Sequence, residues 1–301
     1  MRIWIRIGLA CVSLGLALGE AGAKNSSVVY QRRTILGLPV NVITVNLNDP
    51  EVKVTAAIAR QGVGSSEAFQ SLINRVHPAA AITGAFFDTR SLKPVGDIVI
   101  NGEQLHQGVV GTGVAFTADN SVDFVPLRRG RRTDWTPYEA VVCAGPWLVK
   151  DGWRTVRPRA EGYRDRSLYA LRPRAAIGFT GHRKMLLVTI PKPAYYTHVS
   201  KVMKALGAVN ALGLDGGSST ALSIRGRIIS KPSRRLTNVL LVYDKPHTYE
   251  RAITHHRLFP RRPERRPPTP APLESAPEAP LAPDGVLDLD PEGRTGGPAS
   301  L

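Results

Sequence analysis

The sequence predicts an α+β domain: a single, strand-rich mixed-sheet domain with two principal amphipathic helices. Three observations lead there. Apolar and polar residues alternate with period two in "PVNVITVNL" and "EVKVTAAIA", as in half-buried strands. Two segments carry apolar residues at the i, i+3, i+4, i+7 spacing of a helix face. Most strands follow one another directly, so hairpins rather than helical crossovers connect them.

Residues 1–23 read as an export signal. Arg2 and Arg6 form a positive start, Ile7 to Leu18 is uncharged and apolar, and Ala21-Gly22-Ala23 is a small-residue cleavage site. The apolar run falls short of the ~20 residues a membrane helix needs, so no stable membrane span is expected after cleavage. The expected location is periplasmic or secreted, in a bacterium. Cleavage removes Cys11 and leaves Cys143 as the one cysteine, which precludes an intramolecular disulfide.

The folded domain is expected over residues 24–248. "AAAITGAFF", "GDIVING" and "GTGVAFT" are short strands with glycine punctuation. "AAIGFTGHRKMLLVTI" reads as a hairpin turning at Gly181-His182, and "TALSIRGRIIS" as one turning at Arg225-Gly226. "LTNVLLVYD" is a final buried strand. The first helix carries Phe69, Leu72, Ile73 and Val76, with Ser65-Ser66 as its expected cap. The second runs from about Tyr195 to Leu206, carries Val199, Val202 and Met203, and ends at Gly207. Residues 249–301 turn basic and proline-rich, then acidic, with no apolar periodicity; they read as a disordered tail.

Lys and Arg number 40 against 24 Asp and Glu, a formal charge of +16. The tail charges roughly cancel, so the excess sits in the folded part. Such a charge speaks to partners rather than fold, and the expected partner is an anionic glycan or other anionic envelope polymer. Nucleic acid is not expected, because the chain carries an export signal and no nucleic-acid motif. The histidines show no metal-ligand spacing and no nucleotide phosphate loop is present, so no metal and no cofactor are expected. Nothing in the sequence sets an oligomeric state.

Two strand ends carry the candidate chemistry. "ALGLDGGSST" brings a buried strand to Asp215, then Gly216, Gly217, Ser218 and Ser219. Consecutive glycines let backbone N–H groups converge on an anion, beside a carboxylate able to act as acid, base or nucleophile. A tight turn with an Asx hydrogen bond also fits these residues. "AITGAFFDT" likewise ends in a small-residue turn with Asp88, and "PVGDIVINGEQL" adds Asp97, Asn101 and Glu103. Two such carboxylates are the pair that glycosidic cleavage usually needs. Arg172 and Arg174 stand at the entrance of a buried strand, and Lys150 to Arg166 is a basic loop, readable as a lid or as a solvated surface. Trp147, after Gly145-Pro146, reads as a core aromatic.

In order, these segments resemble the phosphodiester glycosidases related to the lysosomal uncovering enzyme, a family common in bacterial exopolysaccharide loci. The segments are Thr83-Gly84-Ala85-Phe86-Phe87-Asp88, Gly96 to Gly102, Gly145 to Gly152, Pro173 to Gly178, and Leu214 to Ser219. The resemblance spans about Val28 to Tyr243 and implies an α+β domain that hydrolyses a sugar-1-phosphodiester bond in an anionic glycan or phosphosugar. It implies that Asp215 is the leading catalytic carboxylate, Asp88 the second, and Arg174 the phosphate ligand. Thr83, Gly84, Asn101, Gly216, Gly217, Ser218 and Ser219 would bind substrate. The chain departs from the family pattern at Thr83, where asparagine is usual, at Ala85 and Ala175, and in having two glycines after Asp215 rather than three. The alternative reading is a non-catalytic phosphoglycan-binding protein of the envelope.

Overall fold

The computed structural model describes residues 26–255 and 257–260; the expected signal segment and most of the expected tail lie outside them. The chain runs β1 (Val28–Ile35), β2 (Leu38–Asn46), β3 (Lys53–Ile58), α1 (Phe69–Val76) and β4 (Ala80–Thr83). It continues through β5 (Ile98–Ile100), β6 (Glu103–His106), β7 (Thr112–Phe116), β8 (Val122–Pro126) and β9 (Ala140–Ala144). Then come β10 (Trp147–Lys150), β11 (Trp153–Arg154), β12 (Arg172–Thr180), β13 (Lys184–Ala194), α2 (Tyr196–Ala205) and β14 (Ala208–Leu214). The last elements are β15 (Leu222–Ile224), β16 (Arg227–Ser230), β17 (Asn238–Tyr243) and α3 (Pro246–Thr254). This is the expected α+β class.

The strands form three sheets. The largest has the order β1-β2-β13-β12-β14-β10-β11; two five-stranded sheets run β16-β15-β4-β17-β3 and β6-β5-β9-β7-β8. All pairings within them are antiparallel, so the mixing is of sheets with helices rather than of strand directions.

Side-chain alternation sorts the large sheet into two buried faces. Met185 and Leu187 of β13 point into the main core between the sheets, with Ile177 of β12 and Leu212 of β14. Leu186 and Val188 point the other way, where α2 covers them with Val199, Val202 and Met203. Burying each of these helix side chains contributes about 1.5–3 kcal/mol. The expected hairpin turns are both present: Arg183 has φ 52°, and Arg225 and Gly226 have φ 47° and 79°.

Two boundaries differ from expectation. Helix α1 starts at Phe69 and has no side-chain cap; the Ser65 hydroxyl donates to the Gly62 carbonyl instead. Glu67 exchanges backbone hydrogen bonds with Leu236, at 2.8 and 2.9 Å, and this bridge holds the chain extended just before the helix. At the other end, α3 runs across the expected tail boundary at 249, and Leu258 beyond it is fully buried. No helix among the described residues is long and apolar enough to cross a membrane.

The site rests on a junction between β4 and β14. Asn238, the first residue of β17, accepts the Ala85 N–H at 2.7 Å through Oδ1 and donates through Nδ2 to the Ala85 carbonyl at 3.1 Å. The Asp215 N–H then donates to the Gly84 carbonyl at 3.0 Å. A Cβ on Gly84 would stand 2.0 Å from Asn238 Oδ1, an atom already fixed by its bond to Ala85. A Cβ on Gly178 would meet Met203 Cε at 2.4 Å, the free end of a flexible side chain. Gly84→Ala is therefore expected to lower stability by about 1–3 kcal/mol, and Gly178→Ala by clearly less. Urea denaturation of the two variants checks this; equal losses would count against the Asn238 clamp.

Candidate active site

Strand β14 delivers Asp215 at its C-terminal end, and a 3-10 turn, Gly217–Ser219, follows at once. The Ser219 and Thr220 N–H groups close the turn on the Gly216 and Gly217 carbonyls at 3.1 and 3.2 Å. Gly217 has φ 60°, a conformation that favours glycine. A Cβ on Gly216 would lie 3.0 Å from the Pro173 carbonyl, a tight contact that the neighbouring backbone would have to yield to by a few tenths of an ångström. Ser218 does not have positive φ, which explains how the turn forms with two glycines. The Gly217 and Ser218 N–H groups have no acceptor among the described residues.

This turn lines a cleft of about 230 Å³. Phe86 and Phe87, just past β4, form one wall; Asp165, Ser167 and Leu168 form another; Arg172, Arg174 and Arg234 complete it. Among the residues singled out in the sequence, Asp215, Arg174, Gly216, Gly217, Ser218 and Ser219 come together here. Thr83 and Gly84 are buried behind it in the β4–β14 junction. Asp88 lines an adjoining groove of about 270 Å³ that shares Phe86, Phe87, Thr89, Asp165 and Leu168 with the cleft. Asn101 lines neither; it sits in the β5–β6 turn with φ 51°.

Burial pushes the Asp215 carboxyl up to about 7. The Ser219 hydroxyl, the Arg234 charge and the Gly216 N–H oppose that rise, and the Asp165 charge adds to it. Arg234 is held by stacking on Phe87, its guanidinium 4.4 Å from the ring centre. Arg172 is exposed at the cleft mouth.

Arg174 is 2% exposed and largely committed to backbone. Its Nε donates to the Ala194 carbonyl at 3.0 Å, and Nη2 donates to the carbonyls of Ser167, Leu168 and Ala170. The guanidinium also lies 4.1 Å from the centre of the Tyr196 ring, and the Tyr196 hydroxyl donates to the Leu214 carbonyl at 3.3 Å. Arg174 thus fixes the 167–170 wall to the base of the Asp215 strand.

The other candidate carboxylates have local structural partners. Asp88 accepts from the Arg90 and Ser91 N–H groups and the Ser91 hydroxyl, which hold it below the usual carboxylate range. Asp97 is 2% exposed and accepts from the Trp135 indole, the Gln104 amide and the Gly108 N–H. The basic loop is anchored rather than free. Tyr163 and Leu168 are buried, and Glu161 takes the Trp147 N–H on both oxygens at 3.1 and 3.0 Å. Trp147 itself packs on Phe124, ring centres 5.2 Å apart.

Asp165 and Arg234 are cleft residues that the sequence did not single out. Asp165 accepts the Ser167 N–H at 2.7 Å and caps a 3-10 turn, a role that any loop aspartate could have. Arg234 sits in "SRRLTNV", where only its position after the glycine turn could have drawn attention.

The fold recurs in solved structures. A hypothetical protein from Synechocystis matches at TM-score 0.64 and 16% identity, over 72% of this chain and 62% of that one, so this chain spans less than two thirds of that protein. The catalytic domain of zebrafish N-acetylglucosamine-1-phosphodiester alpha-N-acetylglucosaminidase, auto-inhibited by its pro-peptide, matches at TM-score 0.60 and 18% identity, over 73% of this chain and 85% of that one. No curated protein matches by sequence. The sequence profile of the phosphodiester glycosidases matches residues 77–243, a span that includes both the β4 turn and the Asp215 turn, and the chain belongs to that family.

Proposed function

We propose that the protein is an exported hydrolase that cleaves a sugar-1-phosphodiester bond in an envelope or extracellular glycan. One observation carries this reading: a half-buried carboxylate, Asp215, shares a small cleft with three arginines and a glycine turn. A glycosyl phosphodiester is a compact anion with a good leaving group. Its cleavage needs charge stabilisation on the departing phosphate more than a strong general acid. Arg172 and Arg234 offer guanidinium groups at the cleft, and Gly217 and Ser218 offer N–H donors. Arg174 holds the wall and adds fixed positive charge from behind.

Asp215 attacks the anomeric carbon or draws a proton from the attacking water. Water supplies the new hydroxyl of the sugar, and the phosphate leaves as a monoester of the acceptor. Either role needs Asp215 ionised. The export signal, in residues outside the described part, gives the reading its compartment.

Asp215→Asn is expected to lower turnover of a sugar-1-phosphodiester at least about 100-fold, with the circular dichroism spectrum unchanged. In the wild type, kcat/KM should rise with unit slope up to about pH 7 and then level, following ionisation of Asp215 at about 7. Full activity of the variant, or a profile that falls through pH 7, would overturn this role.

The same raised carboxyl has a consequence for stability. Its ordinary value of 3.8 applies in the unfolded chain, against about 7 in the fold. The contribution from keeping Asp215 protonated is complete below about 3.8 and is lost as pH rises through 7. The loss is at most about 4 kcal/mol, reduced by water in the cleft. Asp215→Asn should therefore melt higher than the wild type at pH 8 and close to it at pH 4. Thermal melts at both pH values check this.

A further inference from the structure

Behind the catalytic turn lies a second cavity, of about 570 Å³, which shares Gly217 with the cleft. It opens between two sheet edges. Strand β1 borders the largest sheet and contributes Tyr30 and Arg32; β16 borders the sheet that contains β4 and contributes Arg227. Lys231 follows directly after β16. Arg32, Arg227 and Lys231 are all exposed, and no carboxylate lines the cavity among the described residues.

A polar network forms part of its lining. Asn41, 8% exposed, accepts the Tyr30 hydroxyl at 3.0 Å and donates to the Thr189 and Ser230 hydroxyls, both at 3.4 Å. The Thr189 and Ser230 hydroxyls bond to each other at 2.7 Å. Thr220, at the end of the catalytic turn, also lines the cavity; it is 5% exposed and its hydroxyl has no hydrogen-bond partner. A buried hydroxyl left unpaired costs about 1–3 kcal/mol, which a ligand hydroxyl or bridging water could recover. Three cations without a counter-charge, a rigid amide–hydroxyl network and an unmet hydroxyl together suit an anionic sugar. The charges would take a carboxylate or phosphate, and the network and threonine would take ring hydroxyls.

We infer that this cavity binds an anionic saccharide unit, one bearing a uronate or phosphate group. Its role as the subsite for the next unit along the substrate, past the scissile bond, rests on the hydrolase reading; the binding itself does not. Occupancy would also steady the 217–220 turn from behind, because Gly217 and Thr220 belong to the cavity wall.

The test uses tetragalacturonate as the anionic probe, maltotetraose as the neutral one and a thymidine tetranucleotide as the nucleic-acid one, measured by titration calorimetry. The wild type should bind tetragalacturonate and not maltotetraose. Arg227→Gln with Lys231→Gln should weaken that binding at least tenfold. Arg129→Gln with Arg131→Gln, an equal charge loss in the exposed loop after β8, should change it less than twofold. Asp215→Asn should retain binding while losing turnover, so the cavity and the hydrolase reading can fail separately. No binding of tetragalacturonate, equal losses in the two double variants, or tighter binding of the tetranucleotide lost with Arg227 and Lys231 would each overturn the inference.

Discussion

The hydrogen bond from the Asp215 N–H to the Gly84 carbonyl is the constraint on which the site depends. It joins the ends of strands from two different sheets, β14 and β4. Neither sheet alone could place a carboxylate against the Phe86–Phe87 wall. The bond in turn requires Gly84 to sit against Asn238, and Asn238 to hold Ala85 by both ends of its amide. Within β14, Gly213 fits against the Gly145 carbonyl and the Tyr196 ring, where a Cβ would come within 2.8 and 2.9 Å. The glycines of the motifs are thus contact residues. They let three backbone segments approach closely enough that the carboxylate has one position.

The electrostatics follow from that packing. Asp215 has arginines on several sides yet makes no ion pair among the described residues. Burial therefore prevails, and the carboxyl rises to about 7 rather than falling. Arg174 contributes to this outcome because its Nε and Nη2 donate to carbonyls and its face meets Tyr196. A guanidinium held on one side by backbone dipoles retains its charge without clamping the carboxylate. Direct pairing would have lowered the carboxyl and tied up the group that the proposed reaction needs free. Arg172, exposed, and Arg234, half-buried against Phe87, remain available to an incoming anion.

Much of this was legible in the sequence, for reasons that can be named. Period-two alternation located β2 and β3, although the fold buries both faces of each rather than one: Val42 and Ile43 of β2 enter different cores, and residues 54–58 of β3 are all buried. Glycine-bearing turns located the β12–β13 and β15–β16 hairpins. The order of motifs identified the family, and Asp215 with its glycine turn was singled out because a carboxylate ends a buried strand. What was hidden depends on distance along the chain. Ser65-Ser66 looks like a helix cap, but Glu67 is committed to Leu236, 169 residues away. Asp97 looks available until the indole of Trp135, 38 residues on, is seen to claim it. Arg174 reads as a phosphate ligand, yet the carbonyls of Ser167 and Ala170 come to it because the loop folds back. Asp165 carries no local signal, and Arg234 only its position after the glycine turn. Side-chain chemistry of this kind is set by which loop returns, and periodicity does not encode that.

The same accounting explains where the positive charge can act. In the folded part many carboxylates already serve local structure. Asp97 holds a loop, Asp88 caps a turn, Glu67 pairs with Arg75 at 2.7 Å, and Asp244 with Arg225 at the same distance. The arginines and lysines around the Asp215–Thr220 turn have no such partners among the described residues, on either face. Long-range attraction of an anion to a chain of net charge +16 is generic, and salt screens it over about 8–10 Å. Within that distance geometry decides. A single turn with cations on both sides, a carboxylate on one and a hydroxyl network on the other, discriminates between the faces. On the proposed reading, the carboxylate side repels any anion not drawn in by the arginines and would favour a compact phosphodiester; the hydroxyl side has no such repulsion and would admit a sugar.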